Sequence, residues 1–124
     1  MRLENANTVD YLVASRDGRY AAVLLDDFQG SDERPRLALL QAKIVRYLDF
    51  IESGEAHSRL DEMVGRPVDR RASVGIQIIA MRPLGQLGER FLQHVTQAAQ
   101  AEGVLVSFEV RPPGQSGEMS PADH

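Results

Sequence analysis

Two carboxylates and a short polar motif are where residue types and spacing in this chain point toward a reaction. Asp26 and Asp27 close an apolar run, and Gln41, Lys43 and Tyr47 follow in the next amphipathic stretch. At the end of a strand that feeds a helix, a carboxylate can bind Mg²⁺ or accept a proton, and open α/β sheets often hold ligands there. An acid followed by Gln-x-Lys also has the residue types of the restriction-nuclease pattern. Two features count against these readings. Adjacent aspartates on a strand point to opposite faces and make a poor metal clamp. Gln41 and Lys43 lie in a helical stretch, where residues i and i+2 diverge by about 200°, whereas the nuclease pattern sets them on one face of a strand. No catalytic residue and no metal ligand is assigned. A small-ligand or metal-dependent enzyme using Asp26 or Asp27 with Lys43 stands as the alternative function.

The other candidates are weaker. His57, His94 and His124 have no metal-ligand spacing, and no Ser sits in a Gly-x-Ser-x-Gly elbow. The Gly85-x-x-Gly88 loop lies between an apolar run and a helical one, without the Lys-Ser or Lys-Thr of a phosphate loop. Its helix start can still hold an anion generically. Arg66, Arg70, Arg71 and Arg82 add positive charge to it, diluted by Asp69. No cofactor is implied. Lys43 and Arg46 are expected to pair near the surface with Asp49, Glu52 or the hairpin's aspartates, and Tyr47 and Phe50 to lie in or beside the core.

Composition narrows the classes. The 124 residues suit one domain, and a domain of that size buries roughly two-thirds of its unfolded surface. The absence of cysteine removes disulfides, thiolate metal sites and cysteine nucleophiles. A net charge of −4, with acids and bases interspersed, is unlike the basic excess of a nucleic-acid binder. Thirteen of the fourteen basic residues are Arg, and Lys43 is the only Lys. No run approaches the ~18 apolar residues of a membrane span, and the N-terminus lacks the apolar core of a signal peptide. A cytoplasmic protein with no membrane partner and no nucleic-acid partner is expected.

The elements that would position these residues follow from periodicity. Val9 to Ser15 and Tyr20 to Asp26 read as strands joined by Asp17-Gly18, two residues that accept the positive φ of a tight hairpin. Asp32 is a plausible N-cap for a helix running to about Glu52. Leu37, Leu40, Ile44, Leu48 and Ile51 make its apolar stripe, Pro35 its third residue, and Gly54 its left-handed stop. A short helical piece over Glu55 to Val64 would bury Leu60, Met63 and Val64. Ala72 to Arg82 is a third strand, and Gln86 to Glu102 a helix with Leu87, Phe91, Val95 and Ala98 on one face. Val104 to Arg111 is a last strand in which Val104, Val106, Phe108 and Val110 alternate with polar residues. The Pro-, Gly- and Ser-rich residues 112–124 read as a disordered tail after a single domain over residues 1–111.

The resulting expectation is an α+β fold, ββαβαβ, as a two-layer α/β sandwich: a four-stranded mixed sheet with two main helices on one face. Right-handed crossovers that keep both helices on one face must progress in one direction, which leaves strand order 1-2-3-4 or 2-1-3-4. The uncovered face is lined on the third strand either by Val74, Ile76, Ile78 and Ala80 or by Gly75, Gln77, Ile79 and Met81. With Leu105 beside them, Gln77, Ile79 and Met81 form the candidate face of a homodimer, because apolar side chains clustered on an open face often mark an interaction surface.

The hairpin VDYLVASRDGRYAAVLLDD followed by LLQAKIVRYLDFIESGE resembles a family of small bacterial proteins grouped only as a domain of unknown function. Members pair a Val-Asp strand with a strand ending in Asp, then a helix reading Leu-Gln-x-Lys-x-x-x-Tyr-Leu-x-Phe-x-x-x-Gly. The likeness covers about residues 8–111, with residues 38–55 its most specific part. It implies a shared α+β fold and no stated activity, and it directs attention to Asp26, Gln41, Lys43, Tyr47 and Gly54. The function expected is a non-enzymatic binding or interaction module that self-associates through its open sheet face, with an unidentified protein partner as a further possibility.

Overall fold

The computed structural model describes Leu3 and residues 9–111, so the tail expected over 112–124 lies outside the described residues. The hairpin comprises β1 (Tyr11–Ala14) and β2 (Tyr20–Asp26), antiparallel, with Tyr11 opposite Val23 and Ala14 opposite Tyr20. Its turn is wider than the expected two-residue one. The Ser15 N–H donates to Arg19 O at 2.8 Å and the Gly18 N–H to Ser15 O at 3.2 Å. Three residues, Arg16 to Gly18, thus make the loop, and of these only Gly18 takes positive φ, at +85°. Asp17 serves the turn through its side chain, which accepts from Ser15 Oγ and Arg19 Nε.

Helix α1 (Glu33–Glu52) begins where expected: the Asp32 carboxylate accepts the Arg34 N–H at 3.0 Å, and Pro35 sits third, where its missing N–H costs nothing. It stops at Ser53 and Gly54, the latter left-handed at φ +87°. The chain turns at once into α2 (Glu55–Val64), which packs against α1 and β1. Ala56, His57 and Leu60 are its buried residues. Met63, expected inside, is exposed because the buried face follows positions 56, 57, 60 and 64.

A connector pinned to α2 leads to β3 (Val74–Ala80), followed by α3 (Gln86–Ala101) and β4 (Val106–Val110). The strand order is β1-β2-β3-β4, with β2, β3 and β4 parallel and β1 antiparallel, the first of the two orders that one-sided right-handed crossovers allow. The register places Leu12, Ala22, Ile76 and Val106 in one row and Leu24, Ile78 and Phe108 in the next, all under the helices. They meet Leu40, Ile44, Phe50 and Ala99 in one apolar core.

The buried face of α3 runs through Gly88, Phe91, Leu92, Val95 and Ala99. Leu87 and Ala98, expected on it, are exposed: Gly88 is the residue turned inward, against Leu84 and the Glu33 side chain of α1. Among the described residues no helix is long and apolar enough to cross a membrane.

Candidate functional site

The inward face of α1 carries three polar side chains among its apolar ones. Arg36, Lys43 and Tyr47 are buried together with Leu40 and Phe50, at spacings of three and four. Lys43 does not meet surface acids. Its side chain is 0% exposed, and Nζ lies 3.0 Å from Asp10 Oδ1 and 2.9 Å from Oδ2. Asp10 precedes β1 and ends that strand's pairing in a specific way. Its Oδ2 accepts the Leu25 N–H at 2.9 Å, a group that a longer β1 would take with its own backbone. Tyr47 completes the arrangement: its O–H donates to Val23 O and its oxygen accepts the Asp10 N–H, both at 2.7 Å. One helix thereby holds the start of the hairpin through a charge pair and a two-sided hydroxyl.

A second buried pair closes the other end of β2. Asp26 lies on the covered side opposite Ala80, and its Oδ2 accepts from Arg36 Nε at 2.8 Å, with Nη2 also at 2.8 Å. The same guanidinium donates to Pro83 O at 2.9 Å and Arg82 O at 2.8 Å. It thus binds the end of β2 and the loop after β3 to α1. The planar fork suits this task, because it supplies several donors in fixed directions. Asp27, next in sequence, is drawn elsewhere and accepts the Leu3 N–H at 3.1 Å.

Beyond Arg36 a cleft of about 350 Å³ opens at the carboxyl ends of β2 and β3, lined by Ser31, Glu33, Arg82 and Gly85 among others. Here the Gly85-x-x-Gly88 loop does cradle an anion, but the anion is the protein's own. The Gly85 N–H donates to Glu33 Oε2, and a Cβ on Gly88 would sit 2.5 Å from that oxygen. Glu33 fills the start of α3 as a bound carboxylate would. Arg82 closes the rim, donating to Phe28 O and Gly30 O. Arg70, expected nearby, is held instead by Asp61 of α2 at 2.6 Å.

The uncovered sheet face has the opposite character. Gln77 and Ile79 lie on it in β3, Met81 follows the end of that strand, and Leu105 precedes β4, exposed to 68%. Tyr11 at 50% and Val13 at 44% extend it onto β1. Its polar side chains answer one another: Gln77 Nε2 donates to Glu109 at 3.2 Å, and Arg111 pairs with Glu109 at 2.7 Å.

The expected polar set is therefore distributed. Asp26 goes to Arg36, Asp27 to the Leu3 amide, and Lys43 and Tyr47 to Asp10, while Gln41 is exposed on α1. His57 is buried with Nε2 2.9 Å from Ala72 O, His94 is exposed, and His124 is outside the described residues. Arg36 escaped the sequence reading, and Asp10 entered it only as one of the hairpin's aspartates, expected to meet Lys43 near the surface rather than in the interior. Their signal was present as basic residues on the inward stripe of a helix and acids at strand ends. A Lys43 Nζ closed to solvent and bound to a carboxylate offers no approach to a substrate.

Fold and contacts together define a two-layer α+β module whose buried charges join its elements. The chain belongs to DUF6572, a family of unknown function, whose model matches residues 1–112. No curated protein and no solved structure matches it.

Proposed function

We propose that this protein is a non-enzymatic interaction module that self-associates, as a homodimer in the cytoplasm, through its open sheet face. The observation that carries this reading is the exposure of Leu105, Tyr11 and Val13 on one side of the sheet. Apolar side chains gathered on one face gain from removal from water, at roughly 25 cal/mol per Å² buried. The interior charges support the same reading from the other side. Lys43, Asp10, Asp26 and Arg36 are engaged with one another and with backbone groups that hold elements in place. The open face offers Leu105, Tyr11 and Val13 on one side of the sheet, exposed and committed to no charge pair of the interior.

The test is mass by light scattering at micromolar and at near-millimolar concentration, for the natural chain and for Ile79→Asp. A mass rising toward twice the monomer's, with the charge on Ile79 abolishing the rise, is the expected result. A monomer mass for the natural chain at both concentrations removes the reading.

A further inference from the structure

The open face is not evenly rough. In register across it stand Val13, Ala21, Gly75 and Leu105, since Val13 pairs with Ala21, Ala21 with Gly75, and the Ile76–Val106 pair sets Leu105 level with Gly75. The row runs large, small, small, large. Ala21 and Gly75 make the floor of a groove of about 580 Å³, and the exposed Val13 and Leu105 make its walls. The floor is closed to larger residues at one point, because a Cβ on Gly75 would lie 3.0 Å from Leu105 O.

From this relief, and resting on the self-association just proposed, we infer that the partner on this face is a second copy with Leu105 of each chain seated in the Ala21–Gly75 furrow of the other. A ridge beside a hollow on one surface is self-complementary under a two-fold axis passing between them, the relation that C₂ interfaces require. Strand spacing puts Leu105 about 7 Å from the middle of the furrow, so one axis satisfies both seats within a single face-to-face contact.

The area is consistent with a weak, reversible pair. Four strands ~4.8 Å apart, with about six residues each at ~3.3 Å per residue, give a footprint of roughly 370 Å² per copy. Two such faces total roughly 740 Å², below the ~1,200 Å² lower bound for standard interfaces and in the range of weak, transient contacts. A contact so small depends on its best-fitting anchor.

The natural chain has no cysteine, so Ala21→Cys and Leu105→Cys each introduce a single thiol. The two variants are mixed and treated with a short bismaleimide. The mixture is expected to yield several-fold more covalent dimer than either variant alone, and an equal yield overturns the furrow seat. A size series gives a second readout. Ala21→Leu fills the hollow and Leu105→Ala removes the ridge, and each is expected to weaken dimerisation roughly 100-fold, because the axis counts every change twice. If Ile79→Asp abolishes dimers while neither size change does, the face associates in another register and this inference alone fails. If the natural chain stays monomeric at near-millimolar concentration, both readings fail.

Discussion

Beneath the helices the sheet hides charge, with Asp26, Arg36 and Lys43 all buried, whereas the opposite face leaves Leu105, Tyr11 and Val13 in solvent. The contrast separates two tasks. An interior charge is tolerated only when a counter-charge and hydrogen bonds meet it, so each such residue is tied to particular partners and reports on assembly of the fold. An exposed apolar residue has no such obligation to its own chain. Lys43 and Tyr47, the most conspicuous polar residues of the helix motif, turn out to anchor the start of β1, while the exposed apolar face carries no conspicuous motif at all.

The strongest way to break this contrast is to remove one half of a buried pair. Lys43→Ala leaves the Asp10 carboxylate buried without its cation and is expected to cost about 3–5 kcal/mol in urea unfolding. Replacing both charges by apolar residues of similar size, Lys43→Met with Asp10→Leu, should recover most of that loss, less the hydrogen bond to Leu25. A loss under about 1 kcal/mol for Lys43→Ala would place the pair among weak surface bridges and dissolve the distinction.

Tyr47→Phe comes next in size. It removes one hydroxyl that serves both Val23 O and the Asp10 N–H, and is expected to cost about 1–3 kcal/mol. Solvent exchange of the Asp10 amide should quicken more than that of amides in β3. Leu105→Ala, on the other face, is expected to leave monomer stability within about 0.5 kcal/mol. If it destabilises the monomer by as much as Tyr47→Phe, the open face is part of the core and the contrast is lost.

The smallest effects are electrostatic and depend on pH. The Asp61 carboxyl is lowered from 3.8 to about 2, first by its hydrogen bonds from Arg70 and then by the Val68 N–H. A depressed carboxyl stabilises the fold above its unfolded value and loses that contribution as pH falls through its folded value. Asp61→Asn should therefore lower the melting temperature at neutral pH, with the difference closing between about pH 4 and about pH 2. Glu52 behaves in the opposite sense, held above its ordinary range by a hydrogen bond and charge repulsion from Glu102. Stability from that pair is present at low pH and lost as Glu52 ionises. Glu102→Gln should accordingly raise the melting temperature slightly at neutral pH and leave it unchanged once Glu52 is protonated.

Periodicity in the chain was enough to place the hairpin, the long helix with its Asp32 cap and Gly54 stop, and the alternating last strand. These are local properties: a period of two or of 3.6 residues is written into neighbouring side chains. The rule of right-handed crossovers then restricted the sheet to two orders, and the structure selected one.

Tertiary structure alone decided the partners of the charges and the rotation of each helix. Asp10 meets Lys43 across 33 residues, and Arg36 reaches carbonyls 46 and 47 residues away. No spacing rule predicts such contacts, because they depend on where two elements come to rest against each other. The same holds for α3, where a buried Gly88 turns Leu87 outward although hydrophobicity alone favoured the reverse. Short-range patterning fixes which segments are helix or strand, and packing fixes which side of each one meets water.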